Sequence, residues 1–324
     1  MPLKDYIGLD LGTSKFRFYK DRELISEVPV KIVTNKASPR WVNRIIMKEG
    51  KIASFTDVED IIRQELKKIN PPFWGIFQKS IKCFISVPSD MNKTALRAFW
   101  DLAEHMGSRQ TYLLTDTLII ARALEIDISN SIYTIVDCGA GKTSITTMDG
   151  YKILSNKIID CAGYKFDESI ITYIRREYNS DISQEQAEDL KIKYSNISRS
   201  ETDYSIYVKG KDRSTNQYKD IRVQATEISA SLANDIGYIK EIILRHIGGL
   251  DVSISQQIEK SGIYCVGNSF KMKGFIDYIA NDIPVSKKSY RTENNYMEQG
   301  IKSLFDGSVD ISKYNFDNQY ITPL

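Results

Sequence analysis

Two stretches of the chain repeat one arrangement of residues, and this repeat constrains the fold more than any other feature. The first, "YIGLDLGTSKFRFYKDREL" at 6–24, passes from an apolar segment through Asp10 and a turn of small residues into a β-rich segment. The second passes from the apolar segment 132–136 through Asp137 and the turn 139–142 into "TSITTMDGYKIL". Each stretch predicts a β-hairpin with an aspartate at the bend.

The segment "IVDCGAGKT", residues 135–143, resembles a phosphate-binding loop, but its spacing excludes two common glycine motifs. A P-loop requires glycine where Val136 stands. A dinucleotide-binding fingerprint requires a third glycine where Ser144 stands. A hairpin turn can instead present successive backbone N–H groups to phosphate oxygens, while its aspartate holds a hydrated Mg²⁺. Either hairpin alone is equally explained as an ordinary turn, whereas the repetition favours two hairpins that clamp a nucleotide's phosphates.

Composition narrows the class of protein. The length of 324 residues is enough for two domains with buried cores. A net charge of +2 gives no reason to expect a nucleic-acid partner. No stretch approaches the roughly 18 apolar residues of a spanning helix, and "MPLKDY" is unlike a signal peptide, so we expect a cytoplasmic protein. The spacing of the four cysteines fits neither zinc nor disulfides and predicts reduced, buried residues: Cys83, Cys138, Cys161 and Cys265.

The order of predicted strands and helices indicates an α/β fold with mixed sheets flanked by helices. Each half begins with a hairpin and continues with alternating strands and helices, which predicts two related α/β domains around a cleft. We expect domain I at 1–130 plus 292–324 and domain II at 131–291. Within domain II, the segment 181–228 reads as a small inserted subdomain. Among the predicted helices are "SDMNKTALRAFWDLAEHMG", with Ser89 and Asp90 as N-cap candidates, and a single helix "ISASLANDIGYIKEIILRHI".

Six segments together resemble the actin superfamily, and within it the bacterial MreB branch that includes its magnetosome relative MamK. They are "IGLDLGTS", "FISVPSD", "IVDCGAGKT", "AGYKFDESIITYIRREYN", "QAEDLKIKYS" and "GIYCVGNSFKMKGFIDYI", in family order over nearly the whole chain. The resemblance implies an actin-like ATPase fold with ATP bound between two domains. It also implies Mg²⁺ held through water near Asp10 and Asp137.

The same resemblance assigns roles to individual positions. Backbone groups of Gly12, Thr13, Ser14, Gly139, Ala140, Gly141 and Gly163 would hold the phosphates. Glu188 and Lys191 align with the pair that contacts the ribose, although these two alone would equally be a solvated pair on one helix face. Three residues align with the family's glycines that lie against the adenine: Gly267, Asn268 and Ser269. Since only Gly267 is a glycine here, the pattern gives less support for a close approach of the backbone to the base.

Two departures from the family pattern concern hydrolysis, for which the resemblance implies a catalytic set of Asp116, Asp137 and Lys142. Asp116 stands where MreB-like proteins have a glutamate as the hydrolytic base, and its side chain is one methylene shorter. Lys142 replaces a threonine that faces the terminal phosphate and the attacking water. The lysine can pair with the γ-phosphate or displace the water. We expect nucleotide binding with slow or altered hydrolysis, and the choice between ATP and GTP stays open.

Two further segments bear on partners. The small subdomain of MreB, at 27–50 here, is shortened, so filament geometry does not carry over. The segment "NPPFWGIFQKS" at 70–80 matches an MreB loop that enters the membrane interface, and lysines flank it. Its apolar residues would contact lipid, or alternatively fold back onto the domain as a small core: Phe73, Trp74, Ile76 and Phe77.

These observations favour an ATP-binding, filament-forming bacterial cytoskeletal protein at the inner face of the cell membrane. Its expected partners are further copies of itself, the membrane surface and other cytoskeletal or membrane proteins. One alternative is an actin-like scaffold or adaptor that binds nucleotide without turnover. The departures from the family pattern at Asp116 and Lys142 favour this alternative. A second alternative is a small-molecule kinase of the same superfamily. The segments that match the actin superfamily leave no insert that could bind its substrate. The sequence leaves open whether the cellular role is shape, motility, organelle positioning or segregation.

Overall fold

A computed structural model describes residues 6–30, 46–69, 81–198, 203–290, 295–306 and 310–316. The aromatic segment 70–80 and most of the shortened subdomain at 27–50 lie outside these ranges. The chain forms two compact units. Unit 1 comprises 1–132, 146–156 and 294–324, and unit 2 comprises 133–145 and 157–293.

The secondary structure of the described ranges is mixed. The strands are β1 (Tyr6–Leu11), β2 (Lys15–Lys20), β3 (Glu23–Pro29), β4 (Met47–Lys48), β5 (Lys51–Ile52), β6 (Ile81–Val87), β7 (Ser108–Thr115), β8 (Ile132–Cys138), β9 (Thr143–Asp149), β10 (Lys152–Ile159), β11 (Ser180–Asp181), β12 (Ser205–Asp212), β13 (Tyr218–Gln224) and β14 (Tyr264–Val266). The α-helices are α1 (Phe55–Ile69), α2 (Lys93–His105), α3 (Asp116–Ala123), α4 (Gly163–Tyr178), α5 (Gln184–Tyr194), α6 (Ala225–Ser231), α7 (Ala233–Gly248), α8 (Val252–Ser261), α9 (Phe275–Ala280) and α10 (Tyr296–Leu304).

The two larger sheets share one strand plan. The first has the order β3-β2-β1-β6-β7, with β1 antiparallel to β2 and parallel to β6. The second has the order β10-β9-β8-β14, with β8 parallel to β14. In the first sheet β1, which leads into the first turn, lies between β2 and the parallel strand β6. In the second sheet β8, which leads into the second turn, lies between β9 and the parallel strand β14. This arrangement follows from the sequence repeat, because the same local pattern folds in the same way in each half.

The insert in unit 2 forms a small antiparallel sheet of order β11-β12-β13 beside α5. Helix α5 begins with a capping box, in which the Ser183 side chain accepts the backbone N–H of Gln186 and the Gln186 side chain accepts that of Ser183. The sequence "ISQEQ" therefore fixes where the helix starts. That start determines which side of α5 faces the buried core and which faces solvent.

Each unit has its own apolar core. In unit 1 alternate residues of β1 and β2, including Leu9, Phe16 and Phe18, are fully buried with one face of α1 and α2. In unit 2 the core joins the buried face of α4, including Phe166 and Ile170, to α5, α7 and α9. All four cysteines are buried and reduced, as predicted.

Two predicted helix boundaries are wrong. Helix α2 is capped by Asn92, whose side chain accepts the backbone N–H of Ala95 at 2.8 Å. The proposed caps have other partners, since Ser89 pairs with the Thr146 hydroxyl and Asp90 with the Lys51 ammonium. The predicted single helix at 228–247 lies in two helices, α6 and α7, separated at Leu232. The hydroxyls of Ser229 and Ser231 donate to carbonyls of the preceding turn, which competes with regular helix geometry.

Candidate functional site

The two predicted turns have the same backbone geometry. In the first, the N–H of Gly12 donates to the carbonyl of Lys15 at 3.1 Å. In the second, the N–H of Gly139 donates to the carbonyl of Lys142 at 3.0 Å. Because each bond closes the turn between its glycine and lysine, the backbone of the two intervening residues is held in a tight bend. An aspartate lies next to last in the strand before each turn, Asp10 in β1 and Asp137 in β8.

The first turn is tied to neighbouring segments of unit 1. The Thr13 hydroxyl accepts the N–H of Gly50 at 3.3 Å, and the Ser14 carbonyl accepts the N–H of Val30 at 2.8 Å. Both serine and threonine side chains are half-buried. Residues at the end of β3 and between β4 and β5 therefore help to hold the first turn.

Asp10 is buried and has a cationic partner. Its Oδ2 accepts the guanidinium Nη1 of Arg17 at 3.0 Å, and Ser86 Oγ lies 3.4 Å from Oδ1. Burial raises the pKa of Asp10, and the charge of Asp116 adds to this, while Arg17 and Ser86 act in the opposite direction. The net direction is upward. The charge of Asp116 thus acts on Asp10, and these are the two candidate acids of unit 1.

Asp116 is the first residue of α3 and is buried. Its Oδ1 accepts the backbone N–H of Thr117 at 2.7 Å and lies 3.3 Å from the Thr117 hydroxyl. The helix that Asp116 opens follows directly on β7. The hydrogen bond from the Thr117 N–H fixes the direction of this side chain at the start of the helix.

Two other segments of unit 2 contact the second turn. Gly163, the first residue of α4, donates its N–H to the Gly139 carbonyl at 3.1 Å, and Tyr164 donates to the Ala140 carbonyl at 2.7 Å. The Ser269 hydroxyl donates to the same Gly139 carbonyl at 2.8 Å. The carbonyls of the turn are therefore directed towards α4 and Ser269. The Lys142 ammonium nitrogen is enclosed by protein.

Gly267 lies directly against Asp137. Its backbone has φ +98°, and a Cβ at this position would lie 2.4 Å from the Cys138 carbonyl oxygen and 2.5 Å from Oδ1 of Asp137. Neither distance is possible for a real Cβ, so only glycine fits without movement of the chain. Asn268 and Ser269 begin the short 3₁₀ turn that follows. The structure therefore brings the whole predicted segment Gly267–Ser269 to the second turn.

Lys191 and Glu188 lie in different environments on α5. Lys191 is buried, and its Nζ lies 2.6 Å from Oδ1 of Asp167 and 3.0 Å from the Gly163 carbonyl oxygen. Glu188 is exposed. The interpretation of the two as a solvated pair is wrong for Lys191, because its ammonium neutralises a buried acid. Contact of Glu188 and Lys191 with a ribose stays a prediction.

Sequence reasoning missed Arg17 and Asp167. Arg17 lies opposite Asp10 in the β1–β2 register, a pairing that the hairpin length could have indicated. Asp167 lies beside Phe166 on α4, whose apolar residues at helical spacing mark the buried face. An acid on that face indicates a buried partner. Burial raises the pKa of Asp167 to about 6, Lys191 opposes this effect, and Glu188 adds to it.

Two features are absent from the described residues: a site for direct metal coordination and a helix that could span a membrane. No three His, Cys, Asp or Glu side chains there form a group that could ligate a metal directly. No helix in those ranges is long and apolar enough to cross a bilayer. The four apolar residues proposed to contact lipid, Phe73, Trp74, Ile76 and Phe77, belong to the segment outside the described residues.

A family model and curated relatives both match this chain, and they agree on one protein family. A family model described as MreB/Mbl protein matches residues 39–312. The chain is 26% identical over 299 residues to the cell shape-determining protein Mbl of Bacillus subtilis (strain 168), covering 86% of this chain and 89% of that protein. It is 22% identical over 222 residues to the cell shape-determining protein MreB of Escherichia coli (strain K12), covering 68% and 63% respectively.

Solved structures agree with this match. MreB 5 of Spiroplasma citri bound to AMPPNP superposes with a TM-score of 0.82 at 21% identity, covering 93% of this chain and 96% of that one. The MamK double helical filament gives a TM-score of 0.74 at 15% identity, covering 94% and 99%. At these identities the match establishes the fold alone, and the predicted actin-like α/β fold is confirmed.

Proposed function

Because the chain belongs to the MreB/Mbl protein family, we propose that it binds ATP and assembles with copies of itself into cytoskeletal filaments. The observation that carries this proposal is the repeated turn, closed by Gly12 and Lys15 in one half and by Gly139 and Lys142 in the other. Successive backbone N–H groups in such turns bind phosphate oxygens. Two neighbours by fold support the proposal, since MreB 5 was solved with AMPPNP bound and MamK as a filament.

The candidate residues would divide the work of nucleotide binding. Backbone groups of Thr13, Ser14, Ala140 and Gly141 would hold phosphate oxygens, with Gly163 supporting the second turn. The segment Gly267–Ser269 would lie against the base, and Glu188 would reach the ribose. Carboxylates suit Mg²⁺, which keeps several waters, and Asp10 and Asp137 each lie two residues before a candidate phosphate turn. When bound, the metal would neutralise part of the phosphate charge.

Hydrolysis would depend on Asp116 as the residue that orients the attacking water. Its Oδ1 already accepts the Thr117 N–H at 2.7 Å, and its side chain is short, so its reach towards a water is restricted. Lys142 would add a positive charge beside the terminal phosphate and occupy space that the water needs. We therefore propose slow turnover of tightly bound ATP.

Substitution at these two positions tests the assignment. We expect Lys142→Thr to raise ATP turnover about tenfold, because it restores room for water, and Asp116→Ala to lower it about 100-fold, because a positioned base contributes roughly this much. Lys15→Thr is the matched control, since Lys15 closes the other turn in the same way, and it should leave turnover unchanged. Phosphate release measures all four proteins. Fast wild-type turnover that is indifferent to both changes would remove Asp116 and Lys142 from the site.

A nucleotide-binding scaffold without turnover is the second candidate, favoured by the same two residues. Electron microscopy of the full chain with ATP, with ADP and without nucleotide distinguishes the candidates when it is combined with calorimetric titration of ATP and GTP. Filaments with turnover support the leading proposal, and nucleotide binding without turnover supports the scaffold. Failure to bind any adenine or guanine nucleotide in the presence of Mg²⁺ would contradict both.

Membrane contact through the aromatic segment 70–80 is a separate proposal. It rests on the sequence, which places aromatic residues beside Lys67, Lys68, Lys79 and Lys82. We expect the protein to sediment with vesicles that contain anionic lipid, and Trp74→Ala with Phe77→Ala to reduce the bound fraction at least about fivefold, because interfacial aromatic area is lost. Wild-type protein that stays in the supernatant, or a variant that binds equally well, would contradict membrane contact through this segment.

A further inference from the structure

Arg17 connects two carboxylates beside the first turn. It lies opposite Asp10 in the β1–β2 register, and its Nη1 is 3.0 Å from Oδ2 of Asp10. Its Nε is 2.8 Å from Oε2 of Glu27 on β3. The side chains of Arg17 and Asp10 are only 17% and 10% exposed. The guanidinium is therefore held between two fixed acceptors on neighbouring strands, with little freedom to turn away.

This contact changes the electrostatics of the proposed nucleotide site. Asp10 is a buried acid two residues before the first turn, and Asp116 is a second buried acid whose charge acts on it, so a further negative charge there is disfavoured. A triphosphate brought to this turn meets repulsion unless a cation compensates the carboxylates. Arg17 supplies one positive charge in direct contact with Asp10. Since that charge belongs to the protein, it is present with or without a metal ion.

We propose that Arg17 is a built-in counter-ion for Asp10, so that ATP binding to this chain depends only weakly on Mg²⁺. This inference rests on the proposed nucleotide-binding function. Arg17 acts through Asp10 and is a positioning residue. Its orientation towards both Asp10 and Glu27 leaves it beside the turn as compensation for the carboxylate, with no phosphate contact required.

The test is the ratio of the ATP dissociation constant in excess EDTA to that in excess Mg²⁺, measured by calorimetry on the full chain. For the wild type we expect a ratio below about 10, because Asp10 is already compensated. Arg17→Met should raise the ratio at least about tenfold, since the uncompensated carboxylate then needs the metal. Arg17→Lys keeps the charge and should stay near the wild-type ratio.

Lys15→Met is the matched control, because Lys15 closes the first turn only through its main-chain carbonyl, which the substitution keeps. Lys15 lies on the same strand and pairs with the same Glu27, but it has no contact with Asp10 in the described structure. If the ratio depended only on the number of positive charges near the turn, both Arg17→Met and Lys15→Met would raise it. If it depends on the counter-ion of Asp10, only Arg17→Met raises it. The ratio for Lys15→Met should therefore equal that of the wild type.

Three results would overturn the inference. A wild-type ratio above about 100 would show that the metal is needed despite Arg17, and this measurement stands even if Arg17→Met does not fold. Equal weakening of ATP binding by Arg17→Met in both buffers would show a direct phosphate contact instead. Absence of ATP binding in either buffer would overturn the proposed function as well, whereas binding with a strong metal requirement overturns only the role of Arg17.

Discussion

Gly267→Ala should destabilise the protein by about 3–5 kcal/mol and abolish measurable ATP binding. Two costs add here: the backbone at φ +98° is accessible almost only to glycine, and the new Cβ would overlap Cys138 and Asp137. The overlapping atoms include the Cys138 carbonyl oxygen, which cannot move aside without moving β8. Because β8 leads directly into the second turn, relief of the overlap displaces the proposed phosphate site. Urea unfolding gives the stability, and ATP titration gives the affinity.

Gly107→Ala separates the two costs. Gly107 also has a positive φ, +75°, but a Cβ there has no neighbour within 4 Å. Its substitution should cost only about 1–2 kcal/mol, the ordinary penalty for a left-handed residue, and leave ATP affinity unchanged. If Gly267→Ala behaves like Gly107→Ala in both measurements, then Gly267 does not constrain Asp137 and the second turn as described.

Lys191→Met should cost about 3–5 kcal/mol of unfolding free energy. The substitution leaves the Asp167 side chain, which is 1% exposed, without the ammonium that neutralises it. It also removes the donor to the carbonyl of Gly163, whose N–H is bonded to the Gly139 carbonyl in the second turn. Denaturant unfolding measures the loss. The double variant Asp167→Leu/Lys191→Met removes both charges and should regain most of the stability.

Lys193→Met is the control variant for Lys191→Met. Lys193 lies on the same helix, but it is exposed and pairs with Asp189 four residues earlier, so its loss should leave the free energy of unfolding essentially unchanged. ATP titration of the stable double variant then tests the ribose role implied by the family resemblance. Unchanged affinity would leave Lys191 as a structural residue only. Equal stability of the Lys191 and Lys193 variants would contradict the buried pair.

The sequence predicted the hairpins and their aspartates because the signals are local. Asp10 and Gly12, and likewise Asp137 and Gly139, are two residues apart, so a short pattern determines a turn. The sharing of one strand order by both sheets follows from the same repeat. Contacts between distant segments were beyond this reasoning, because nothing near Lys191 in the sequence indicates that it meets Asp167 on another helix.

The boundary errors have a similar cause. Ser89 and Asp90 are good capping residues in isolation, but their side chains are engaged by Thr146 and Lys51, which are remote in sequence. Asn92 is left to cap α2. Helices α8 and α10 were not predicted, although α10 packs closely enough on α3 that a Cβ at Gly300 would lie 2.1 Å from the Ile119 carbonyl oxygen. A glycine within a helix therefore marks a close helix crossing that periodicity alone does not reveal.

The hydrogen bond that closes each turn joins main-chain atoms only, from glycine N–H to lysine carbonyl. The bond therefore does not depend on the side chains between them, which are Thr13 and Ser14 in one turn and Ala140 and Gly141 in the other. Two turns with one backbone geometry thus offer different side-chain chemistry, hydroxyl groups at the first and none at the second between the closing residues.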